Sequence, residues 1–139
     1  MPVQGDGTAM RGLGGPAGYG ERQMPRSDDG GIRLDLSDVF EDGLNYFGVL
    51  YDARDIFLNV NGTLSFKSPY PQYPTAANLL PGRDLIAPFW ADVDIRLDGE
   101  GAESGPVWID VDAAAGRATV TWDGVGVYRR NGVPETTVQ

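Results

Sequence analysis

Leu85-Ile86-Ala87-Pro88-Phe89-Trp90-Ala91-Asp92-Val93-Asp94-Ile95-Arg96 is the stretch whose reading decides the fold. From Phe89 onward, apolar and polar positions alternate strictly. Successive side chains of a strand point to opposite faces, so the pattern predicts a central strand over residues 89–96. Phe89, Ala91, Val93 and Ile95 form a core-facing set, and Trp90, Asp92, Asp94 and Arg96 form the other face. That second face gathers a large aromatic, two acids and a cation, and it is where the sequence concentrates candidate chemistry.

The neighbouring segments carry the same period. Ile56, Leu58 and Val60 alternate, Asn61-Gly62 follows, and Leu64 and Phe66 resume the alternation, which predicts a β-hairpin with both turn residues at positive φ. Further upstream, Ile32, Leu34 and Leu36 predict a half-buried strand, and the aromatic run Asn45–Tyr51 predicts another. Ser37 and Glu41 resemble a capping box for a single helical turn. Residues 68–84 hold Pro69, Pro71, Pro74 and Pro81, too many for a sheet interior, and predict a long loop with one helical turn at Thr75–Leu80. Downstream, Val107, Ile109 and Val111 predict a strand, as do Ala118, Val120 and Trp122, and Thr136–Gln139 opens one more. The fold class expected is mainly β: an antiparallel β-sandwich-like domain with at most one or two single-turn helices and a long Pro-rich loop. Residues 1–31 hold nine of the 20 glycines. This divides the chain into a flexible Gly-rich lead-in over 1–23 and one domain over 24–139, with Gly18–Gly30 across their boundary packing on the domain as an irregular arm. Asp28-Asp29-Gly30 within that arm is a turn signal.

Composition narrows the chemistry. The net charge is −9, from 20 acidic and 11 basic residues, and Lys67 is the lone lysine. Nucleic acid, whose phosphates need clustered Lys and Arg, is not an expected partner. There is no cysteine and no histidine, which removes thiol catalysis, Ser-His-Asp triads and Cys/His zinc sites. Carboxylate chemistry and oxygen-ligated metals remain. No apolar run is long enough to span a membrane, and Met1–Gly20 shows no basic start followed by an apolar run, so no export signal is visible.

Asp92 and Asp94 stand two apart on one strand face, with side-chain bases about 6–7 Å apart by the strand rise. Three roles are open to them. They would help hold Ca²⁺ with oxygens from Asp98, Glu100 or Asp110, although the spacing fits an EF-hand loop poorly, with Arg96 at a ligand position and Leu97 at the glycine position. They would serve glycoside hydrolysis, which needs a proton donor of raised pKa where Arg96 stands instead. Or they are structural, accepting backbone N–H bonds from the Pro-rich loop and pairing with Arg96 or Arg83, and this third role is favoured. Trp90 and Trp108 lie on the polar side of their strands, where exposed rings would make a glycan or protein platform with Asp92, Asp94 and Asp110. The alternative is that a loop or the second sheet covers them.

A family likeness rests on the order of motifs. Asn45-Tyr46-Phe47-Gly48 is followed by Leu58-Asn59-Val60-Asn61-Gly62-Thr63-Leu64-Ser65-Phe66, Ile86-Ala87-Pro88-Phe89-Trp90-Ala91-Asp92-Val93-Asp94 and Val120-Thr121-Trp122-Asp123-Gly124-Val125. From about Met24 to Gln139 the chain resembles the nidogen-like extracellular domain family (NIDO), in the manner of bacterial members, which sit beside Ca²⁺-binding repeats in large secreted proteins. Two features depart from the family pattern. Gly105-Pro106-Val107-Trp108-Ile109-Asp110 replaces a "G-x-V-Y-Y-R" segment, and two closing strands expected beyond Gln139 are missing, so the domain is expected to be C-terminally incomplete. The resemblance implies a non-catalytic adhesion or interaction module of a secreted or cell-surface protein. Its expected partners are a protein or glycan of the matrix or cell surface and neighbouring domains of the parent chain. The family brings no catalytic residues, and no cofactor is expected; Ca²⁺ is the one candidate ion, with Asp92, Asp94 and Asp98 as its candidate ligands. The alternative is a carbohydrate-binding or carbohydrate-active β-sandwich using Asp92, Asp94 and exposed tryptophans.

Overall fold

A computed structural model describes residues 9–78, 82–99, 103–129 and 136–139. Its strands are β1 (Arg22–Gln23), β2 (Gly31–Leu34), β3 (Leu44–Tyr46), β4 (Val49–Tyr51), β5 (Ile56–Asn59), β6 (Thr63–Phe66), β7 (Leu85–Ile86), β8 (Val93–Asp94), β9 (Val107–Asp112), β10 (Arg117–Val127) and β11 (Thr136–Val138). One sheet runs β1-β9-β10-β11 with β8 also on β10, a second runs β2-β5-β6-β7, and β3-β4 is a separate hairpin. Every pairing is antiparallel. The fold is mainly β, as the alternation predicts, and among the described residues the one helical element is a 3-10 turn at Ala53–Asp55. The turn expected at Ser37 is capped differently: Asp35 Oδ1 accepts from the Ser37 backbone N–H and hydroxyl, and a single turn follows, with Phe40 N–H on the Leu36 carbonyl at 2.9 Å. Thr75–Asn78 is a hydrogen-bonded turn, and the rest of that expected helical turn lies outside the described residues.

The two sheets share one core. Leu34, Ile56, Leu58 and Phe66 from one sheet meet Val93, Val107, Ile109, Trp122 and Val125 from the other. Trp122 is 1% exposed and its indole N–H donates to the Val60 carbonyl at 3.0 Å, so the largest core side chain also bonds the hairpin loop opposite. Burial of such a side chain contributes about 3 kcal/mol.

Two predicted elements fold otherwise. Residues 89–96 are not one strand. Leu85–Ile86 pairs with β6 in one sheet, and Val93–Asp94 pairs with β10 in the other. The chain between them is a crossover that turns at Pro88-Phe89, where proline supplies no N–H for a ladder. The run Asn45–Tyr51 also folds back on itself, as β3-β4 joined by Phe47-Gly48, both at positive φ (48° and 83°). Tyr46 and Tyr51 anchor this hairpin: the Tyr46 hydroxyl donates to the Leu85 carbonyl at 2.7 Å, and the Tyr51 ring stacks on Phe66 with centroids 4.0 Å apart.

The hairpin at residues 56–66 is present with a longer loop than expected. Asn59 pairs with Thr63, so Val60, Asn61 and Gly62 form the loop, and of these Gly62 alone has positive φ. The lead-in, expected to be flexible, is laid against the sheet from residue 9. Tyr19 is 3% exposed, β1 pairs with β9, and Gln139 bonds both the Met10 backbone and the Thr121 hydroxyl. Residues 1–8 lie outside the described part. No helix among the described residues is long and apolar enough to cross a membrane.

Candidate functional site: an acidic cleft

The side chain of Asn61 organises the site. Asn61 is fully buried in the hairpin loop, and each of its polar atoms holds a different segment. Its Oδ1 accepts from the Val93 N–H at 2.8 Å, and its Nδ2 donates to Asp29 Oδ1 at 2.7 Å and to the Pro71 carbonyl at 3.0 Å. The Asn61 carbonyl accepts from Ala91 N–H at 3.0 Å. One asparagine thereby ties the crossover, the Asp28-Asp29-Gly30 turn and the Pro-rich loop together. The turn is also fixed through its backbone, with Ile95 N–H on the Ser27 carbonyl at 3.0 Å and Val60 N–H on the Gly30 carbonyl at 2.8 Å. Asp29 sits at φ 37°, a left-handed conformation that aspartate tolerates better than most residues.

These ties bring Asp28, Asp29 and Asp92 into one open cleft of about 290 Å³, with Tyr73 and Tyr128 on its walls. One carboxylate oxygen from each acid lies within 4.8 Å of the other two. Burial and the like charges of Asp29 and Asp94 raise the Asp92 pKa above the ordinary carboxylate range. Burial, then Asp29 and Asp94, raise Asp28 as well, against the pull of Arg96. Asp28 Oδ1 is buried and accepts no hydrogen bond among the described residues. The cleft therefore concentrates negative charge that Arg96, paired with Asp28 at 3.2 Å, offsets only in part, and its donors are all hard oxygens, the set that suits Ca²⁺.

Asp94, which the alternation places beside Asp92, has another fate. It is 1% exposed, and Arg96 grips it: Arg96 Nε donates to Oδ1 at 2.9 Å, its terminal nitrogen donates to Oδ2 at 2.6 Å, and its backbone N–H donates to Oδ1 at 3.0 Å. Burial pushes Asp94 upward, but these bonds outweigh it and the net pKa is lowered, while Arg96 is raised. Arg96 also reaches Asp28 at 3.2 Å. Asp94 thus pairs with Arg96 as the structural role expects, but its backbone donor is Arg96 rather than the Pro-rich loop, and Asp92 opens onto the cleft.

The other expected site residues are dispersed. Asp98 is not in the cluster; its backbone N–H, with that of Gly99, is taken by the Glu103 carboxylate. Glu100 lies outside the described residues. Asp110 lines a different opening beside Leu13, Glu21 and Arg22. Trp108 is 5% exposed and its indole N–H meets Asp123 Oδ2 at 3.3 Å, which corrects the exposed-platform reading for this residue. Alternation placed it on the outer face, yet the side chain is buried there and its ring nitrogen is held by Asp123. Trp90 is half-buried, pinned by its N–H to the Gln72 carbonyl at 2.9 Å and packed near Tyr70. Asp28, Asp29, Tyr73 and Tyr128 were not singled out from the sequence as site residues. The Asp-Asp-Gly turn was the available signal for the first two.

Residues 54–113 match the family model described as Nidogen-like domain. Alpha-tectorin of Mus musculus is 38% identical over 89 residues and alpha-tectorin of Homo sapiens 37% over 89 residues. Each alignment covers 61% of this chain and 4% of the relative, so the chain spans a small fraction of the curated relatives' length. No solved structure matches the chain significantly. The family match takes in Asn61, the crossover and Asp92 but not Asp28, Asp29 or Tyr128. Motif order and the family model agree: over residues 54–113 the chain matches the nidogen-like domain.

Proposed function

We propose that this chain is a non-catalytic, extracellular matrix-type interaction module of a larger secreted or cell-surface protein, contacting a protein or glycan of the matrix or cell surface. The nidogen-like match carries this reading, and the likeness to alpha-tectorin supports it. The alternative, a carbohydrate-active domain on Asp92, Asp94 and exposed tryptophans, is disfavoured by the residues themselves. Arg96 engages both carboxylate oxygens of Asp94, and Trp108 is buried. In the test, the purified chain is incubated with decellularised matrix and, separately, with a polysaccharide panel. Saturable retention on matrix without turnover is the expected result. Polysaccharide turnover that disappears in Asp92→Asn, with folding intact, would overturn the non-catalytic reading.

A second reading concerns the cleft: Ca²⁺ held by Asp28, Asp29 and Asp92, in place of the set Asp92, Asp94 and Asp98. The convergence of three carboxylates favours it. Its sign follows from linkage. An acid whose folded pKa is raised costs stability above that pKa, and the cost is relieved as pH falls through the folded pKa towards the unfolded one. Asp92→Asn is therefore expected to raise Tm by about 1–3 °C at pH 7 in chelator, an estimate discounted for solvent screening, and by nothing at acidic pH once Asp92 is protonated. In roughly millimolar Ca²⁺ the unmodified chain should gain Tm and Asp92→Asn should not. An unmodified chain whose Tm is the same in Ca²⁺ and EDTA sinks this reading and leaves the module reading standing.

A further inference from the structure

Where β6 ends and β7 begins, an open pocket of about 510 Å³ is lined by Tyr51, Lys67, Ser68, Arg83 and Asp84 among others. It shares no lining residue with the acidic cleft. Its charge runs against that of the chain. Lys67 is the lone lysine in a protein of net charge −9, it is exposed, and among the described residues no carboxylate pairs with it. Its ammonium stands 5.8 Å from the centre of the Tyr51 ring. Lys67 is also held at φ 70°, a left-handed conformation that costs a side chain about 1 kcal/mol and that glycine takes freely. The backbone there is fixed, with the Lys67 N–H on the Asp55 carbonyl at 2.8 Å. Strain of this kind collects at functional sites.

The rest of the lining adds donors, and the acceptors beside them are spent. One terminal nitrogen of Arg83 donates to the carbonyls on either side of Lys67, that of Phe66 at 2.9 Å and that of Ser68 at 3.2 Å. The guanidinium carbon lies 5.3 Å from the Tyr70 ring centre. These contacts fix the arginine, while its Nε and second terminal nitrogen donate to no residue among those described. Asp84 is the one acid among the described lining residues, and one of its oxygens accepts from the Tyr51 hydroxyl. Two cations against one carboxylate leave the lining at +1, the complement of a single negative charge. The chain's overall charge repels polyanions, which favours a ligand with one isolated anionic group. The Ser68 hydroxyl and the second Asp84 oxygen are placed to bond ligand hydroxyls, and Tyr51, stacked on Phe66, is an aromatic wall. One charge, hydroxyl partners and a ring are the inventory that a sugar acid needs. A peptide C-terminus is captured instead by clustered backbone N–H groups, and here the Lys67 N–H is already committed.

We infer that this pocket binds the carboxylate of an acidic sugar, sialic or uronic, with Lys67 and Arg83 as its cationic contacts. The inference rests on the interaction-module reading and deepens it on the glycan side.

The test titrates the whole chain, followed by NMR, with sialyllactose, with a disaccharide ending in glucuronic acid, and with the methyl ester of each. The free acids are expected to shift the resonances of Lys67, Ser68 and Arg83. The esters, which lack the charge, should bind about tenfold or more weakly. Whichever acid binds tighter identifies the source of the carboxylate. Glycine suits the left-handed backbone at position 67, so Lys67→Gly should keep Tm within about 2 °C while affinity falls about tenfold. Lys67→Arg should hold affinity within about threefold. Arg54→Gln removes a cation outside the pocket and should change affinity by less than about twofold. Four results overturn the inference: equal binding of acid and ester, unchanged affinity in Lys67→Gly, displacement by acetate at equal concentration, or tighter binding of a peptide C-terminal carboxylate. Matrix retention by a chain that binds neither sugar also overturns it, and leaves the interaction-module reading standing.

Discussion

Gly62→Ala is expected to destabilise the chain by about 3 kcal/mol or more. A Cβ built on Gly62 falls 1.6 Å from the Phe89 carbonyl oxygen and 2.4 Å from its carbon. Both atoms are backbone, so no rotamer change relieves the overlap. The crossover itself must move, and it delivers Val93 and Ile95, both fully buried, to the core. Gly62 also sits at φ 87°, where an alanine pays about 1 kcal/mol in any surroundings. Gly116→Ala separates the two contributions: Gly116 has φ 62° with nothing within 4 Å of its Cβ position, so that substitution should cost about 1 kcal/mol. Urea unfolding of both variants measures the difference. Equal losses would mean that the hairpin loop and the crossover are not in contact as described.

That contact explains what the sequence disclosed and what it hid. Alternation reports which side chains face the core, and it placed Val93 and Ile95 there correctly. It does not report which strand an extended backbone bonds. Residues 85–86 and 93–94 belong to different sheets, and the periodicity of the sequence runs on through a connection that turns at Pro88-Phe89. The Asn61-Gly62 signal found the hairpin but implied a two-residue turn. The observed three-residue loop frees Asn61 from a left-handed conformation and turns its amide into a strut between segments. Asp92 was legible as an unusual acid in a strand-like run. Its neighbours Asp28 and Asp29 were not, because they reach it across the fold and nothing in the local pattern of either segment refers to the other. Asp94 shows the limit of spacing as evidence: it is two residues from Asp92 in the same alternation, yet Arg96 closes around it and leaves Asp92 to the cleft. Trp108 shows that the polar side of a strand is not the same as the exposed side: it is 5% exposed and its indole N–H meets Asp123.

Asn61→Ala tests the strut directly and should cost about 3–4 kcal/mol. Most of this comes from Val93, whose N–H is left without an acceptor in a residue that is 0% exposed. Pro71 and Asp29 are exposed residues, so their freed oxygens recover water and contribute less. Asn61→Asp provides the comparison. It keeps an acceptor for Val93 but sets a carboxylate where the amide met Asp29 at 2.7 Å, so its deficit should be largest at neutral pH and shrink as pH falls and one of the two acids protonates. The alanine variant has no such titration, and its deficit should be nearly independent of pH. The two also differ at the cleft. Like charge on Asp29 helps raise Asp28 and Asp92, so releasing Asp29 from Asn61 should let both return towards the ordinary carboxylate range, whereas a new carboxylate should hold them up. Carboxyl NMR titration of Asp92 in the two variants reads this opposite movement. If Asp92 titrates identically in both, Asn61 does not position the acids, and the cleft is an accident of surface charge rather than an arrangement held by the core.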